Sequence, residues 1–314
     1  MREQRRFFDM PPALSWTTWL KRHIWPSQEM KLIPNKPILQ KTSLKLSKTD
    51  PRNAQEYSTF LQYYFTQTPK GKLRLPPQLY KNLETIGAEV RDPTTNALIG
   101  IVFSIYMGMV LNTPVGLITW LCVHPDWRKK GIADLLLHAI DFYAERPIHF
   151  FRNDGWLKSP LPPLWNEHRI SRKRNHFRPS VPLLRSPLAL YIDQIKSAWL
   201  KANPTGIFLY EPNKLSLVEV WKYQSTLLIL QPTFEEINQK RIAEILFWVD
   251  SSQLYKTTLV IETMIDSLPY DILEAPSIMP HLDSGWDYAG QSSWSVYGLD
   301  PGLPTRPILS LLVS

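Results

Sequence analysis

One short segment in the first half of the chain constrains the fold more than any other. Residues 117–124 read Leu-Ile-Thr-Trp-Leu-Cys-Val-His, an apolar run that predicts a buried β-strand. Residues 128–131 follow as a basic turn that ends in glycine, and apolar side chains then recur at helical spacing. The positions that predict one apolar helix face are Ile132, Leu135, Leu136, Ala139 and Ile140. The segment therefore predicts a strand that turns directly into an amphipathic helix.

The start of this helix is a candidate phosphate site. Backbone N–H groups at a helix N-terminus have no intrahelical acceptor, and the helix dipole favours anions there. Arg128, Lys129 and Lys130 add positive charge beside Gly131. The pyrophosphate of coenzyme A would fit such a site. Because short glycine motifs match by chance, an ordinary solvent-exposed basic loop is the alternative interpretation.

The same segment resembles the CoA-binding motif of N-acyltransferases and, more closely, a signature of the N-myristoyltransferase family. That signature reads Glu-Ile-Asn-Phe-Leu-Cys-x-His and continues into a basic loop that ends in x-Ala. The matching positions are Ile118, Leu121, Cys122, His124 and Ala133. The positions that differ are Leu117, Thr119 and Trp120, where the family has Glu, Asn and Phe.

Other segments resemble the same family and keep its order along the chain. They are residues 6–12, 153–160, 168–169, 270–279 and 285–297. The resemblance implies an α/β (α+β) fold of two tandem acyl-CoA N-acyltransferase (GNAT-like) halves around a mixed β-sheet. It also implies that residues 1–178, with an N-terminal arm, form the half that binds acyl-CoA. Residues 185–314 would form the second half, which binds the peptide and carries the C-terminal carboxylate.

The periodicity of the first half agrees with this fold. It predicts an amphipathic helix over residues 53–66 and a short helix that begins at Pro76 or Pro77. An edge strand is predicted at residues 87–91, followed by two strands across residues 98–111 and one at 115–123.

The resemblance implies that the chain moves a long-chain acyl group, myristoyl, from acyl-CoA to the N-terminal glycine amine of a peptide or protein. The backbone N–H groups of Trp120 and Leu121 would form the oxyanion hole. Tyr64, His168 and Gly290 would contact the peptide. The residues implied to contact myristoyl-CoA, the co-substrate, are Phe7, Phe8, Leu121, Cys122, Val123, Arg128, Lys129, Lys130, Gly131, Ile132 and Ala133.

The general base implied by the resemblance is the C-terminal carboxylate, here that of Ser314. The last eight residues, 307–314, are mostly apolar, whereas chain ends are normally polar. A buried α-carboxylate would have a pKa above its ordinary value of about 3.5 and would accept a proton more readily. A docked terminal strand without a catalytic role is the alternative.

The departures from the family fall on the peptide side. The family has an acidic stretch after its first helix, whereas residues 66–72 of this chain are neutral to basic. The motif before His168 is altered, and Glu274 stands where the family has Asn. We therefore expect selection for lysine-rich peptides to be weak or reversed.

Composition adds limits but does not identify a partner. The net charge is +8, with basic residues concentrated at 169–178, which could suit nucleic acid, an anionic cofactor or an anionic membrane surface. The basic cluster is not accompanied by a motif of any nucleic-acid-binding fold, so no nucleic-acid partner is expected. One cysteine, Cys122, and scattered histidines predict no metal site. No apolar run is long enough to span a bilayer, so we expect a soluble, cytoplasmic monomer.

Two further functional interpretations stay open from the sequence. One is an acetyl-CoA-dependent N-acetyltransferase, although the second half has no evident use in such an enzyme. The other is a catalytically silent protein that binds acyl-CoA and has lost peptide recognition, for which the missing acidic stretch is the support.

Overall fold

The computed structural model describes residues 16–27, 29–34, 37, 39–65, 71–82, 85–154, 161–173, 175, 180–211, 216–250, 254–276, 286–303 and 306–310. The helices in these ranges are α1 (Trp16–Ile24), α2 (Ala54–Tyr64), α3 (Leu79–Asn82), α4 (Ile132–Ala144), α5 (Ile192–Ala202) and α6 (Leu254–Ser267). The strands are β1 (Lys31–Leu32), β2 (Lys45–Lys48), β3 (Gly71–Leu73), β4 (Thr85–Arg91), β5 (Leu98–Val110), β6 (Thr113–Val123), β7 (Ile148–Asp154), β8 (Pro163–Lys173), β9 (Leu184–Ser186), β10 (Ile207–Leu209), β11 (Glu219–Tyr223), β12 (Thr226–Ile237), β13 (Lys240–Val249), β14 (Ile272–Pro276), β15 (Asp287–Tyr297), β16 (Leu299–Asp300) and β17 (Ile308–Ser310).

A thirteen-stranded mixed sheet forms the centre of the described structure. Its order is β2-β4-β5-β6-β7-β15-β8-β14-β13-β12-β11-β9, and β3 pairs with the far end of β12. Two of its pairs are parallel, β6 with β7 and β13 with β14. Each parallel pair is joined through a helix, α4 in the first case and α6 in the second, as parallel strands require.

The two halves of the sheet repeat one topology and exchange a strand. After β7 the chain continues into β8, which pairs with β14 of the second half. After β14 it continues into β15, which pairs with β7 of the first half. β8 and β15 then pair with each other at the middle of the sheet. This arrangement confirms the predicted tandem halves around a mixed sheet, whereas a domain boundary at residues 178–185 stays a prediction.

α4 and α6 cover one face of the sheet. Ile140 of α4 and Phe151 of β7 share one buried apolar cluster. Ile265 of α6 and Leu273 of β14 share another. The register through β15 and β8 puts Phe151 and Leu273 on the same face. The amphipathic pattern predicted for residues 132–140 is therefore the pattern of a helix packed on a sheet.

The opposite face carries α2, α5 and a small parallel pair formed by β10 and β17. Leu61 of α2 packs with Phe103 of β5, and Ile195 of α5 packs with Ile229 of β12. The last described strand, β17, contributes apolar side chains to clusters of both halves. The chain's last described residues thus lie against the sheet, where Leu309 packs with α5.

Two predicted strands differ from the observed ones. Residues 98–110 form the single strand β5, not two strands, because Gly108 has a φ of +116° and bends the strand at a bulge without ending it. β4 is an interior strand, not an edge, because β2 pairs with it along Lys45–Lys48. No strand was predicted for that segment from the sequence.

Candidate functional site

An opening in the sheet separates β6 from β7. The two strands pair in parallel only from Val115 with Ile148 to Ile118 with Phe151. Both continue beyond that point, β6 to Val123 and β7 to Asp154. Along residues 119–123 the described sheet therefore offers β6 no partner strand on this side, so backbone N–H groups of these residues that face the opening are not used in pairing with β7.

A β-bulge lies at this opening. Ile101 pairs with Cys122 while Phe103 pairs with Thr119, so Val102 faces both Trp120 and Leu121. A bulge leaves its extra residue outside the hydrogen-bonded ladder. The predicted oxyanion donors therefore lie where strand pairing is interrupted.

Trp120 has a left-handed backbone at the bulge, with a φ of +50°. This conformation is costly for a bulky residue and persists only when its surroundings enforce it. The indole ring is held edge-on against two other rings, with centroid distances of 6.1 Å to Tyr80 and 5.8 Å to Phe103. Aromatic packing thus fixes the strained backbone in place.

The basic turn leads from β6 into α4. A 3₁₀ turn spans Pro125–Trp127, and Lys129 and Gly131 both have positive φ, +62° and +76°. Gly131 is the N-cap residue of α4 and supplies no side-chain cap to the helix. Lys129 and Lys130 are exposed, and the Lys130 Nζ lies 4.8 Å from the centre of the Trp127 ring. The turn and helix start have the geometry expected for binding an anion.

Arg128 has a role that the sequence analysis did not predict. Its Nε donates to the carbonyl of Val123 at 3.1 Å, and its Nη2 donates to the carbonyl of Tyr64 at 3.0 Å. The side chain therefore ties the end of β6 to the end of α2. The ring of Tyr64 lies 4.6 Å from that of His124, which strengthens the same junction.

Cys122 is a buried residue of β6, with 3% of its surface exposed. Burial raises the pKa of its thiol to about 12, and the positive charge of Arg128 opposes this only in part. The thiol is therefore protonated at neutral pH and does not act as a nucleophile. Cys122 packs with α2, whereas Leu121 and Val123 pack with the α4 cluster that includes Ile132.

A cluster of four charged residues joins the two halves on the face that carries β17. Arg152 of β7 makes a bidentate pair with Glu244 of β13, at 2.8 and 2.6 Å. Arg169 of β8 lies 3.4 Å from Glu244 and also pairs with Glu274 of β14. β7 and β13 are four strands apart, which in a flat sheet is about 19 Å, farther than the two side chains reach. The sheet therefore curls, and this face is concave.

Glu244 is ionised although it is buried. Burial favours the neutral carboxyl, but the charges of Arg152 and Arg169, with the hydrogen bonds from Arg152, outweigh it and hold the pKa of Glu244 at about 2. The Arg152 guanidinium also lies 5.5 Å from the centre of the Trp294 ring. The sequence analysis missed Arg152 and Glu244, because the two are 92 residues apart and no local pattern relates them.

The residues expected to bind peptide lie at two places in the sheet. His168 pairs in register with Gln291, and Gly290 pairs with Arg169, so His168 and Gly290 are close on β8 and β15. His168 is exposed, and its ring lies 6.4 Å from that of Tyr288. Tyr64 is beside the end of β6, three strand positions from β8. The described contacts thus join His168 with Gly290 and, separately, Tyr64 with the end of β6.

The approach to the C-terminus is held by Arg306. Its Nη1 donates to the carbonyl of Thr205 at 2.9 Å, and its Nε donates to the carbonyl of Pro301 at 2.7 Å. β17 follows and pairs with β10 over Ile207–Leu209. Three residues with expected roles lie outside the described residues, and they are Phe7, Phe8 and Ser314.

Comparison with solved structures identifies the architecture. Neither a family model nor a curated protein matches the chain. A structure of Saccharomyces cerevisiae N-myristoyltransferase with bound myristoyl-CoA matches with a TM-score of 0.66 and 12% identity, over 98% of this chain and 95% of the other. The chain has the N-myristoyltransferase fold. A structure of the yeast enzyme with myristoyl-CoA and inhibitors matches with the same score and identity, over 98% and 92% of the two chains.

The match to the N-myristoyltransferase fold extends across both halves. A third structure of the yeast enzyme with myristoyl-CoA has a TM-score of 0.66 and 11% identity, over 94% of this chain and 88% of the other. At this identity the likeness establishes the fold, and the resemblance expected from the sequence motifs is confirmed at that level.

Two other features, a metal-ion site and a membrane-spanning helix, are absent from the described residues. In these residues no group of three or more His, Cys, Asp or Glu side chains is arranged to hold a metal ion. None of the helices within the described ranges has the length and apolar character needed to cross a bilayer.

Proposed function

We propose that this chain is an acyltransferase that moves a myristoyl group from myristoyl-CoA to the N-terminal glycine amine of a peptide or protein. The observation that carries the proposal is the opening between β6 and β7, with the strained Trp120 bulge at its edge. A chain with the N-myristoyltransferase fold would bind a thioester at such an opening, because backbone N–H groups there do not pair with β7.

The described residues support the part of the site that would bind acyl-CoA better than the part that would bind the peptide. The pyrophosphate would bind at the start of α4, where Lys129, Lys130 and the N–H groups after Gly131 converge. The remaining contacts would come from the half-buried end of β6, which does not pair with β7, and from Phe7 and Phe8 of the arm. Arg128 would act chiefly by holding this edge to α2 through its two backbone hydrogen bonds.

The proposed reaction is attack of an amine on a thioester carbonyl. The amine nitrogen forms a bond to the carbonyl carbon, and the oxygen becomes negative while accepting hydrogen bonds from the N–H groups of Trp120 and Leu121. The carboxylate of Ser314 takes the proton that the amine must lose. Collapse of the intermediate then breaks the C–S bond, re-forms the carbonyl of the new amide and releases CoA as its thiolate, which takes up the proton held by the carboxyl of Ser314.

The acceptor side differs from a site that selects basic peptides. Tyr64, His168 and Gly290 would contact the peptide, and Lys72 of β3 is exposed where an acidic stretch is expected from the family. We therefore infer that acceptor peptides need not be rich in lysine.

The test is an acyl-transfer assay read by mass spectrometry. Purified chain is incubated with myristoyl-CoA and a pool of peptides that begin with glycine, alongside the same peptides with an acetylated N-terminus. A myristoyl mass increase confined to peptides with a free glycine amine is the predicted result. No product with either peptide set would contradict the proposal.

A silent acyl-CoA-binding protein is the second candidate, and the charged cluster is the observation that favours it. Ion pairs join Arg152 and Arg169 with Glu244 and Glu274 on the concave face. These charged side chains, on the side where the peptide would bind, therefore already have partners. Myristoyl-CoA that binds stoichiometrically without any acylated peptide would establish this candidate in place of the enzyme.

A further inference from the structure

The outer face of α1 is apolar and exposed. Trp16, Leu20 and Ile24 recur at every fourth position, which places them along one side of the helix. Their exposed fractions are 46%, 56% and 67%, and the next residue, Trp25, is 68% exposed. Four large apolar side chains on one short element are more than isolated surface apolar residues would explain.

The opposite side of α1 is fixed to the body of the protein. The Trp19 indole Nε1 donates to the carbonyl of Pro163 at 3.0 Å, and Arg22 forms an ion pair with Asp300. The segment after the helix is also fixed, because the Ser27 N–H donates to the carbonyl of Gly302 at 3.0 Å and β1 pairs with β16. These contacts hold the helix in one orientation, with its apolar face directed outward.

Nearly all of the net positive charge lies in the part of the sequence that contains α1. Residues 1–48 include ten Lys and Arg and three acidic residues, a net charge of +7. The whole chain has 36 Lys and Arg against 28 Asp and Glu, so the remaining residues contribute +1. The lysines of this segment that the structure shows exposed are Lys21, Lys31, Lys41, Lys45 and Lys48.

We propose that α1 is an interfacial helix that docks the protein onto an anionic lipid bilayer. Exposed Trp and aliphatic residues on one face of a helix, with a lysine such as Lys21 on the helix itself, are the chemistry that inserts into the boundary between headgroups and acyl chains. A basic segment is attracted to a leaflet with negative surface potential. The charge is thus complementary to the proposed surface.

Other occupants of this face fit less well. A second copy of the chain would bring two segments of charge +7 together, which repel each other. Nucleic acid would match the charge but would leave Leu20 and Ile24 without a role, since phosphate backbones are bound by charge and bases by stacking. The inference goes beyond the proposed acyl transfer and does not depend on it.

Vesicle flotation with the full chain tests the inference without any activity readout. Vesicles of phosphatidylcholine alone are compared with vesicles that contain about 30% phosphatidylserine, which carry the negative potential. The test variant is Leu20→Ser with Ile24→Ser, which removes apolar groups without changing charge. The matched control is Leu184→Ser with Leu190→Ser, at two leucines that are also exposed, 62% and 71%, elsewhere on the surface.

We expect the wild-type chain to float with phosphatidylserine vesicles at least tenfold more than with phosphatidylcholine vesicles. The Leu20/Ile24 variant should lose at least tenfold in partitioning, whereas the Leu184/Leu190 variant should float like the wild type. Equal melting temperatures of all three proteins would show that each is folded. The inference would be overturned if the wild-type chain did not float with the vesicles or if the Leu20/Ile24 variant floated equally well. Release of the vesicle-bound wild-type chain by added RNA alone would also overturn it.

Discussion

At the scale of single residues, Trp120 and Glu244 are each held in a state that an isolated residue avoids. The left-handed backbone of Trp120 is fixed by the rings of Tyr80 and Phe103. The ionised, buried carboxylate of Glu244 is held by two arginines. States of this kind are concentrated at functional sites, where neighbouring structure enforces them.

The oxyanion role of the bulge predicts a specific effect of Leu121→Pro, which removes one backbone N–H. The turnover number should fall about 10²–10³-fold, the usual effect of losing one oxyanion donor. Leu121→Ala keeps the N–H and should retain most of the activity, so it controls for the loss of the side chain. Acyl-CoA binding, followed by calorimetry, should weaken to a similar and much smaller extent in both variants, since both lose the Leu121 side chain. Equal turnover of the two variants would argue against a backbone donor at this position.

Replacement of one partner of the charged cluster should destabilise the protein. Glu244→Gln leaves the partly buried guanidinium of Arg152 without its charge partner; such a loss costs about 3–5 kcal/mol for a fully buried pair, and we expect a cost toward the lower end of that range. The free energy of unfolding in urea measures the effect. Glu236→Gln, which removes a partner from the exposed Arg74 pair, should cost about 1 kcal/mol or less.

The pKa of Glu244 predicts how stability depends on acid. Folding lowers this pKa from its ordinary value of 4.5 to about 2, so the stabilisation is fully present above pH 4.5 and is lost as the pH falls toward 2. The difference corresponds to about 3 kcal/mol. Urea unfolding across this pH range should show the loss in the wild type, and Glu244→Gln should lack this component. A wild-type curve that is flat below pH 4.5 would contradict the account.

At the scale of elements, the helix that follows β6 is where local sequence determines both structure and site. Lys129→Ala with Lys130→Ala should raise the Kd for CoA about tenfold, which corresponds to 1.4 kcal/mol. The effect should shrink at high salt because both side chains are exposed. Calorimetric titration at two salt concentrations measures it. If the double substitution left the Kd for CoA unchanged at low salt, Lys129 and Lys130 would not form an anion site.

Arg128→Ala should act differently, because its guanidinium bonds to two carbonyls. Hydrogen bonds from charged groups contribute about 1.5–3 kcal/mol each, less where they are exposed. We expect a measurable loss in the free energy of unfolding, whereas Lys129→Ala with Lys130→Ala should leave it nearly unchanged. Thermal unfolding of the two variants side by side distinguishes a junction residue from a ligand-binding one.

The elements that could be predicted from the sequence are those with a local pattern. The helix predicted over residues 53–66 is α2, Ala54–Tyr64, and the strand predicted at 115–123 is part of β6. The order of the strands could not be predicted, because insertion of β15 between β7 and β8 depends on contacts more than a hundred residues apart. For the same reason, neither the ion pair of Arg152 and Glu244 nor the curl of the sheet inferred from it could be predicted from the sequence.

The site was predictable to the extent that it lies on one continuous segment. The residues that run from the bulge to the start of α4 follow one another along the chain and have a recognisable pattern. The role of Arg128 was not predictable, since its partner Tyr64 belongs to a different element. The left-handed conformation of Trp120 has no sequence signal, because glycine is the residue that usually marks it.

At the scale of the whole molecule, segments near both ends of the chain pack against the rest of the structure. β1 pairs with β16, and β17 lies on the concave side of the sheet, where it packs with strands of both halves and with α5. Residues added after Ser314 should therefore abolish acyl transfer and leave acyl-CoA binding intact, because they would remove the carboxylate proposed as the base. An extension of equal length at Met1 is the control. Full transfer by the C-terminally extended chain would exclude the carboxylate from the reaction.

The proposed site depends on the opening between β6 and β7, where the thioester would bind. A crystal structure with a non-hydrolysable myristoyl-CoA analogue would locate the thioester. We expect the analogue's carbonyl oxygen to lie within hydrogen-bond distance of the backbone N–H of Trp120 or Leu121, with the pyrophosphate at the start of α4. An analogue bound elsewhere, or bound with its carbonyl turned away from the bulge, would refute the proposed site.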